Sequence, residues 1–150
     1  MNNVARLVTL VLLAAALSSC AILGGCPPSY EPVTLESGVV LRDVVVPIEG
    51  QEAAVGDLVR VHYELNLADG TAVDSSYERG QPLETTLGAG LLPPGIEEGI
   101  VGMRVFGRRT IEVPPAMGYG ETGMGDRVPP NSRLLVRLEL MGIGPVNLEP

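Results

Sequence analysis

Residues 61–76, VHYELNLADGTAVDSS, are the stretch that decides the fold. Apolar and polar side chains alternate up to residue 67, and the pair Asp69-Gly70 follows. Such alternation is typical of a strand with one buried and one solvated face, and an Asp-Gly pair favours a tight turn between antiparallel strands. The stretch therefore predicts a long strand that ends in a hairpin turn.

The same alternation recurs at residues 109–113 and 134–141. One helix is predicted, at residues 96–101, because it follows Pro93-Pro94-Gly95 and has acidic residues in its first turn, where the helix dipole favours them. The Gly- and Pro-rich residues 113–131 predict a long surface loop, and loops of that length are usually functional. These patterns predict an α+β fold, a curved antiparallel sheet of about five strands wrapped on one short helix.

The first residues of the chain have the pattern of an export signal. Arg6 precedes an apolar run, residues 7–17, which two serines and Cys20 follow. This order of charge, apolar core and small residues predicts a secretory signal over residues 1–19. The run has eleven residues, whereas a membrane-spanning helix needs about 20.

The rest of the chain divides into three predicted parts. Residues 20–38 contain three prolines among small and acidic residues and predict a flexible tether. Residues 39–143 predict a single folded domain, since chains usually add a second domain only at greater length. Residues 144–150 are left as a C-terminal tail.

Composition excludes several classes of function. The formal net charge is −8, the pI is about 4.6, and all ten basic residues are Arg. Nucleic acid requires a basic surface and is therefore not an expected partner. His62, the single histidine, lies on the polar side of its strand and is interpreted as a surface residue. No Cys, His and carboxylate groups have the spacing of metal ligands, so we expect neither a metal nor a cofactor.

Four segments in this order resemble the FKBP-type peptidyl-prolyl cis-trans isomerases: residues 61–76, LPPGIEEGIVGM (92–103), VPPAMGYGETG (113–123) and VPPNSRLLVRLEL (128–140). The resemblance extends over residues 39–143. It implies the fold of that family and catalysed rotation about X-Pro bonds in proline-containing polypeptides.

The resemblance also implies which residues act. Tyr63, Asp74 and Tyr119 match catalytic positions: Asp74 supplies a hydrogen bond and a local field beside Tyr63, and Tyr119 donates its hydroxyl to a substrate carbonyl. From the residues alone, Asp74 is better interpreted as a turn residue. Tyr119 can equally be a loop tyrosine that closes a turn, and Tyr63 a half-buried aromatic residue of a strand. The expected substrate-binding residues are Val73, Arg79, Leu83, Leu92, Pro93, Ile96, Val128 and Val136.

Several positions depart from the family pattern. Ile96 stands where the family commonly has an aromatic pocket floor, and aliphatic residues stand at three wall positions that are usually aromatic, Val73, Leu83 and Val136. Pro93 has no N–H to donate to a bound carbonyl, although Pro93-Pro94 can equally serve to fix the helix entrance. The departures predict a wider, shallower pocket and do not favour tight binding of the macrolides for which the family is named.

The sequence that ends in Cys20 resembles the lipobox of bacterial lipoproteins, in which the cysteine takes a diacylglycerol. Cys26 follows a similar Leu-Gly-Gly sequence, and a Cys20–Cys26 disulfide in an ordinary secreted protein is a third alternative. Lipidation at Cys20 implies an anchor in the bilayer. Ala21 after the anchor favours the outer membrane of a diderm bacterium, facing the periplasm.

These observations favour a membrane-tethered isomerase that assists the folding of exported proteins. Two alternatives stay open, a non-catalytic peptide-binding module and a structural lipoprotein of the envelope. The sequence offers no extra helical segment for dimerisation, so a monomer is expected.

Overall fold

One antiparallel sheet and one short α-helix form the part of the chain that the computed structural model describes, residues 31–144. The elements in chain order are β1 (Val33–Thr34), β2 (Val40–Val45), β3 (Leu58–Leu67), β4 (Ala72–Ser75), β5 (Leu83–Thr86), α1 (Pro94–Ile100), β6 (Arg108–Val113), a 3-10 turn (Pro115–Met117) and β7 (Leu134–Ile143).

The strands lie in the order β1-β2-β6-β7-β3-β4, and β5 also pairs with β3. The predicted α+β fold is confirmed. The sheet has seven strands rather than about five, because three of them, of two to four residues, are too short to show a periodic pattern. No helix within residues 31–144 has the length and apolar character needed to cross a bilayer.

The inner face of the sheet carries an almost wholly aliphatic core. The alternating residues of β3, β6 and β7 are buried on this face, as their pattern predicts. The fully buried aliphatic residues of these strands are Val59, Val61, Ile111, Val113, Leu134, Val136 and Leu140. Arg109 is the exception, a charged side chain in an apolar position that is only 9% exposed.

Helix α1 packs closely against β6. A Cβ added at Gly99 would lie 2.6 Å from Ile111 Cδ1, and one added at Gly95 would lie 2.6 Å from Val113 Cγ1. The helix begins at Pro94, two residues before the predicted start, because proline is well tolerated in the first turn, where its missing N–H would have no partner in any case. The two glycines therefore set the distance between the helix and the sheet.

The folded domain begins earlier than the sequence predicts. Residues 33–38 were assigned to the tether, but β1 pairs with β2 and the Leu35 N–H donates to the Val39 carbonyl at 2.8 Å. The Ser37 hydroxyl also donates to Glu98 of α1 at 2.6 Å. A two-residue strand leaves no periodic trace in the sequence. The predicted signal, Cys20, Cys26 and residues 145–150 lie outside the described residues.

Candidate active site

An apolar hollow opens between α1 and the inner face of the sheet. Its volume is about 50 Å³. One water needs about 10–15 Å³ of such space, so the hollow has room for only a few waters. Seven of the predicted site residues line it: Tyr63, Asp74, Leu83, Leu92, Pro93, Ile96 and Tyr119. Four lining residues were not predicted: Val61, Leu65, Ile100 and Leu138.

Three side chains form a hydrogen-bonded network at the edge of this hollow. The Tyr63 hydroxyl donates to one oxygen of Asp74 at 2.5 Å, and Arg79 donates to the other oxygen at 2.5 Å. A second nitrogen of Arg79 donates to the Tyr63 oxygen at 2.6 Å, and the guanidinium lies 5.3 Å from the centre of the Tyr63 ring. Each of the three groups is therefore held by the other two.

The network keeps Asp74 charged. Burial opposes its ionisation, but the hydrogen bond from Tyr63 and the charge of Arg79 outweigh burial, so the pKa of Asp74 lies below its ordinary value of 3.8. Burial raises the pKa of the Tyr63 phenol, and the bond to Asp74 raises it further. At neutral pH the site therefore holds a carboxylate beside a neutral phenol.

Tyr119 reaches the hollow from the loop that follows β6. Burial raises the pKa of its phenol, and the nearby charge of Asp74 adds to the effect. Within residues 31–144 its hydroxyl has no hydrogen-bond partner, so it is free to donate to a ligand. Gly118, before it, packs against Leu134, with 3.2 Å between an added Cβ and Leu134 Cδ1. The glycine lets the loop approach the sheet and bring Tyr119 over the hollow.

Ser76 is a positioning residue that the sequence analysis missed. Its hydroxyl is fully buried, accepts the Tyr63 N–H at 2.8 Å and lies 3.0 Å from His62 Nδ1. These bonds fix the backbone of β3 where Tyr63 enters the site. His62 stacks on Tyr77 at 4.5 Å on the outer face of the sheet, as its assignment to the polar side predicts.

Four predicted substrate-binding residues do not line the hollow. Val128 and Val136 are buried in the core, at 1% and 0% exposure, with other aliphatic side chains over them. Val73 is the extra residue of a β-bulge, since Leu65 pairs with Asp74 and Asn66 with Ala72. A bulge re-aims its side chain. Arg79 does not line the hollow either, but it reaches the site through its bonds to Tyr63 and Asp74.

Pro93 both lines the hollow and begins the helix. Its carbonyl accepts the N–H of Ile96 at 2.9 Å and of Glu97 at 3.2 Å. Ile96 then faces the hollow as its floor, only 8% exposed. The predicted aliphatic floor is thus in place, and the two interpretations of Pro93 are compatible.

A larger groove, of about 440 Å³, lies on the outer face of the sheet. Its walls are mainly charged, with Arg108 beside Glu139 and Arg137 beside Glu64. A proline ring gains nothing from such walls, because its burial against charged groups removes their hydration. The smaller, apolar hollow is therefore the candidate active site.

Known proteins resemble this chain in both sequence and fold. The sequence model of the family described as FKBP-type peptidyl-prolyl cis-trans isomerase matches residues 49–141. The chain belongs to this family. Membership makes it an isomerase of the FKBP type, and the strands, the helix and the loop that carry the hollow all lie within or next to the matched residues.

Relatives resemble this FKBP-type chain over most of their length. It is 39% identical over 140 residues to "FK506-binding protein 2" of Yarrowia lipolytica, covering 93% of each chain. It is 44% identical over 94 residues to "FK506-binding protein" of Neisseria meningitidis serogroup C, covering 63% of this chain and 86% of the relative.

Solved FKBP structures share the fold. The crystal structure of AtFKBP13 matches 76% of this chain and 99% of its own, with a TM-score of 0.70 and 36% identity. The crystal structure of FkpA from Escherichia coli matches with a TM-score of 0.70 and 33% identity, over 76% of this chain and 52% of its own. Together they establish the FKBP fold.

Proposed function

We propose that this FKBP-type isomerase is a monomer held on a membrane by a lipid at Cys20, where it accelerates the folding of exported, proline-containing polypeptides. The observation that carries the catalytic part is the network of Tyr63, Asp74 and Arg79 beside an apolar hollow into which Tyr119 presents a free hydroxyl. The N-terminal sequence supports the anchor.

Rotation about an X-Pro bond needs no nucleophile. The barrier is about 20 kcal/mol because rotation breaks the resonance of the imide. Loss of resonance also lowers the polarity of the imide, so an apolar hollow holds the twisted form better than the planar one. Such differential binding lowers the barrier. The aliphatic walls Val61, Leu92, Ile96 and Ile100 supply this environment.

Polar groups fix the substrate around the bond that turns. The Tyr119 hydroxyl donates to a substrate carbonyl, which holds one side of the X-Pro bond still while the other rotates. Asp74 accepts hydrogen bonds from Tyr63 and Arg79 and so orders the polar edge of the hollow against which the substrate lies. Arg79 and Tyr63 keep Asp74 in place and ionised.

The anchor follows from the sequence before the described residues. Two or more acyl chains on a cysteine hold a protein stably on a bilayer, since each buried methylene contributes about 0.8 kcal/mol. Ala21 after Cys20 favours the outer membrane of a diderm bacterium, with the domain in the periplasm. An isomerase placed there meets exported chains while they fold.

A peptide-binding module without catalysis is the second candidate. The observation that favours it is the site itself, since Ile96 forms the floor where the family commonly has an aromatic ring and Pro93 offers no N–H. Such a module would bind X-Pro peptides in an NMR titration without accelerating their exchange. A purely structural lipoprotein would do neither.

The anchor is tested in a bacterium that exports the chain. We expect the wild-type protein and Cys26→Ser to fractionate with membranes, and Cys20→Ser to become soluble or to remain unprocessed. Intact-mass analysis should show acyl chains on Cys20 in the first two proteins. Membrane retention and acylation that are lost in Cys26→Ser but kept in Cys20→Ser would contradict the assignment.

A further inference from the structure

An exposed apolar surface lies at the end of the domain away from the active site. It is formed by the last residues of β2, the loop that follows β2, and the turn before β6. Ile48 is 92% exposed and Phe106, the single phenylalanine of the chain, is 65% exposed. We call this surface the apolar end; it comprises Val44, Val46, Pro47, Ile48 and Phe106.

The two segments of the apolar end are held together. Arg104 donates to the carbonyls of Pro47 at 3.2 Å and Ile48 at 2.7 Å. Gly107 lies against the same loop, since a Cβ added there would be 3.5 Å from Pro47 Cδ. The loop and the turn therefore present one continuous surface.

Phe106 is held in an unusual backbone conformation. Its φ is 68°, a region that bulky residues rarely adopt. The Phe106 N–H donates to the Leu140 carbonyl at 2.6 Å, which fixes the turn while the ring stays in solvent. Strain of this kind persists where the surrounding structure enforces it, and it is concentrated at sites that bind or switch.

The chain enters the domain from the side of the apolar end. β1 is antiparallel to β2, with Val33 opposite Leu41 and Thr34 opposite Val40. Moving from Val33 towards the N-terminus therefore follows β2 towards Val45 and the apolar end. Twelve residues, 21–32, separate Cys20 from Val33, and even fully extended they reach only about 40 Å. A lipid on Cys20 thus keeps this end near the bilayer.

The charge of this end also suits a membrane. Residues 42–52 and 104–109 contain three acidic residues and four arginines, of which Arg109 is buried, in a chain whose net charge is −8. The acidic charge therefore lies elsewhere on the protein. Exposed arginines beside an apolar surface can sit among lipid headgroups, where they favour an anionic leaflet.

We propose that the apolar end rests on the lipid bilayer, with Ile48 and Phe106 inserted into its interfacial region. The inference rests on the proposed lipid at Cys20, which brings a bilayer rather than a second protein to this end. Apolar side chains flanked by arginines insert about 5–10 Å into such a region. β6 begins two residues after Phe106 and extends for about 20 Å towards the loop of Tyr119, so the candidate active site faces away from the membrane.

The chain has no tryptophan, so one introduced residue reports its own surroundings. Phe106→Trp places the reporter at the apolar end. Leu91→Trp is the control, because Leu91 is 72% exposed and lies at the opposite end, beside the hollow. Each acylated full-length variant is reconstituted into vesicles of phosphatidylethanolamine and phosphatidylglycerol with brominated acyl chains. Bromine quenches only an indole that enters the bilayer.

We expect a blue shift and strong quenching for Phe106→Trp and neither for Leu91→Trp, with quenching reduced when Ile48→Ser is added. Absent quenching at position 106, or equal quenching at both positions, overturns the inference. So does a lipid-free dimer, or capture of a denatured polypeptide, that Ile48→Ser with Phe106→Ser abolishes, if Ile48→Ser leaves the quenching of the Phe106→Trp protein unchanged. If the chain is not acylated or not active, the proposed function is wrong. If the chain is acylated and active but shows no quenching, only the present inference is wrong.

Discussion

Asp74 joins the polar residues of the active site. It accepts hydrogen bonds from Tyr63 and Arg79, and its charge raises the pKa of Tyr119. The Asp74 carboxylate thus positions Tyr63 and Arg79 and raises the pKa of Tyr119. Asp74 is therefore the ionisable group that links the three other polar side chains of the candidate site.

The state of Asp74 predicts how the protein responds to acid. The pKa of Asp74 in the folded protein lies below 3.8, the ordinary value of the unfolded chain. Asp74 therefore contributes fully to the stability of the fold at pH values above 3.8, and this contribution is lost as the pH falls through the folded pKa. We expect kcat/KM to stay level from neutral pH to about 5. Asp74→Asn, of equal size, should be about tenfold less active, since a hydrogen bond to a charged group is lost.

Exchange rates and thermal unfolding, measured over a pH series for both proteins, provide the check. A wild-type profile of activity that already falls between pH 6 and 5 would contradict a depressed pKa for Asp74.

The sequence predicted some site residues better than others. Tyr63, Asp74 and Tyr119 were predicted because they lie in segments that resemble a family, and all three line the hollow. Ser76 was missed, because Ser75-Ser76 looks like any polar turn and only the pairing of β3 with β4 shows that its hydroxyl is buried. Val136 was predicted to line the hollow, but its side chain is buried in the aliphatic core.

At the level of elements, α1 is held by a single charged residue of β6. Arg109 donates to the carbonyls of Gly99 at 3.0 Å and Val101 at 3.1 Å, at the C-terminal end of the helix, where a positive charge is favoured. It also pairs with Asp43 of β2 at 2.6 Å. The helix that floors the hollow is thus tied to two strands.

Arg109→Met should lower the free energy of unfolding by about 3 kcal/mol, because it leaves Asp43 and two helix carbonyls without their partner. Arg109→Lys keeps the charge but not the forked geometry, so its free energy of unfolding should lie between those of the wild type and Arg109→Met. Arg133→Met is the matched surface control: Arg133 is 60% exposed and lies 3.8 Å from Glu112, so its loss should cost under about 1 kcal/mol. Urea unfolding measures all three, and equal losses for Arg109→Met and Arg133→Met would refute this role.

The contact of α1 with β6 predicts a clash at Gly99. Gly99→Ala should destabilise the domain by about 1–3 kcal/mol, because the new Cβ would lie 2.6 Å from Ile111 Cδ1. Ile111→Val removes that atom and should cost about 0.5–1.5 kcal/mol alone. Combined with Gly99→Ala it should recover part of the loss. Strictly additive effects in urea unfolding would show that the two positions do not touch.

Long elements were predictable and short ones were not. β3, β6 and β7 repeat apolar residues often enough to reveal their buried face, whereas β1 has two residues and was taken for tether. Arg109 broke the pattern of β6 because its charge is balanced by Asp43 and by helix carbonyls, groups that are distant in sequence. Local pattern carries no information about such partners.

At the scale of the whole molecule, the two ends of the sheet differ in character. The end where β6 leads into the loop of Tyr119 carries the hollow and its polar network, whereas the end where β2 finishes carries Ile48 and Phe106 in solvent. Strand direction and register decide this separation, and neither can be read from composition. The sequence predicted the fold class and the family, but not which end of the sheet carries the hollow and which end exposes apolar side chains.

The central claim is that an aliphatic hollow with this polar edge catalyses rotation about X-Pro bonds. The most direct measurement is NMR exchange spectroscopy on a set of X-Pro peptides with catalytic amounts of the protein. We expect wild-type protein to accelerate exchange, and Tyr119→Phe to reduce kcat/KM about two- to tenfold, the loss of one hydrogen bond, with unchanged stability. Exchange no faster than in buffer for every peptide, while the same peptides still bind, would contradict the account.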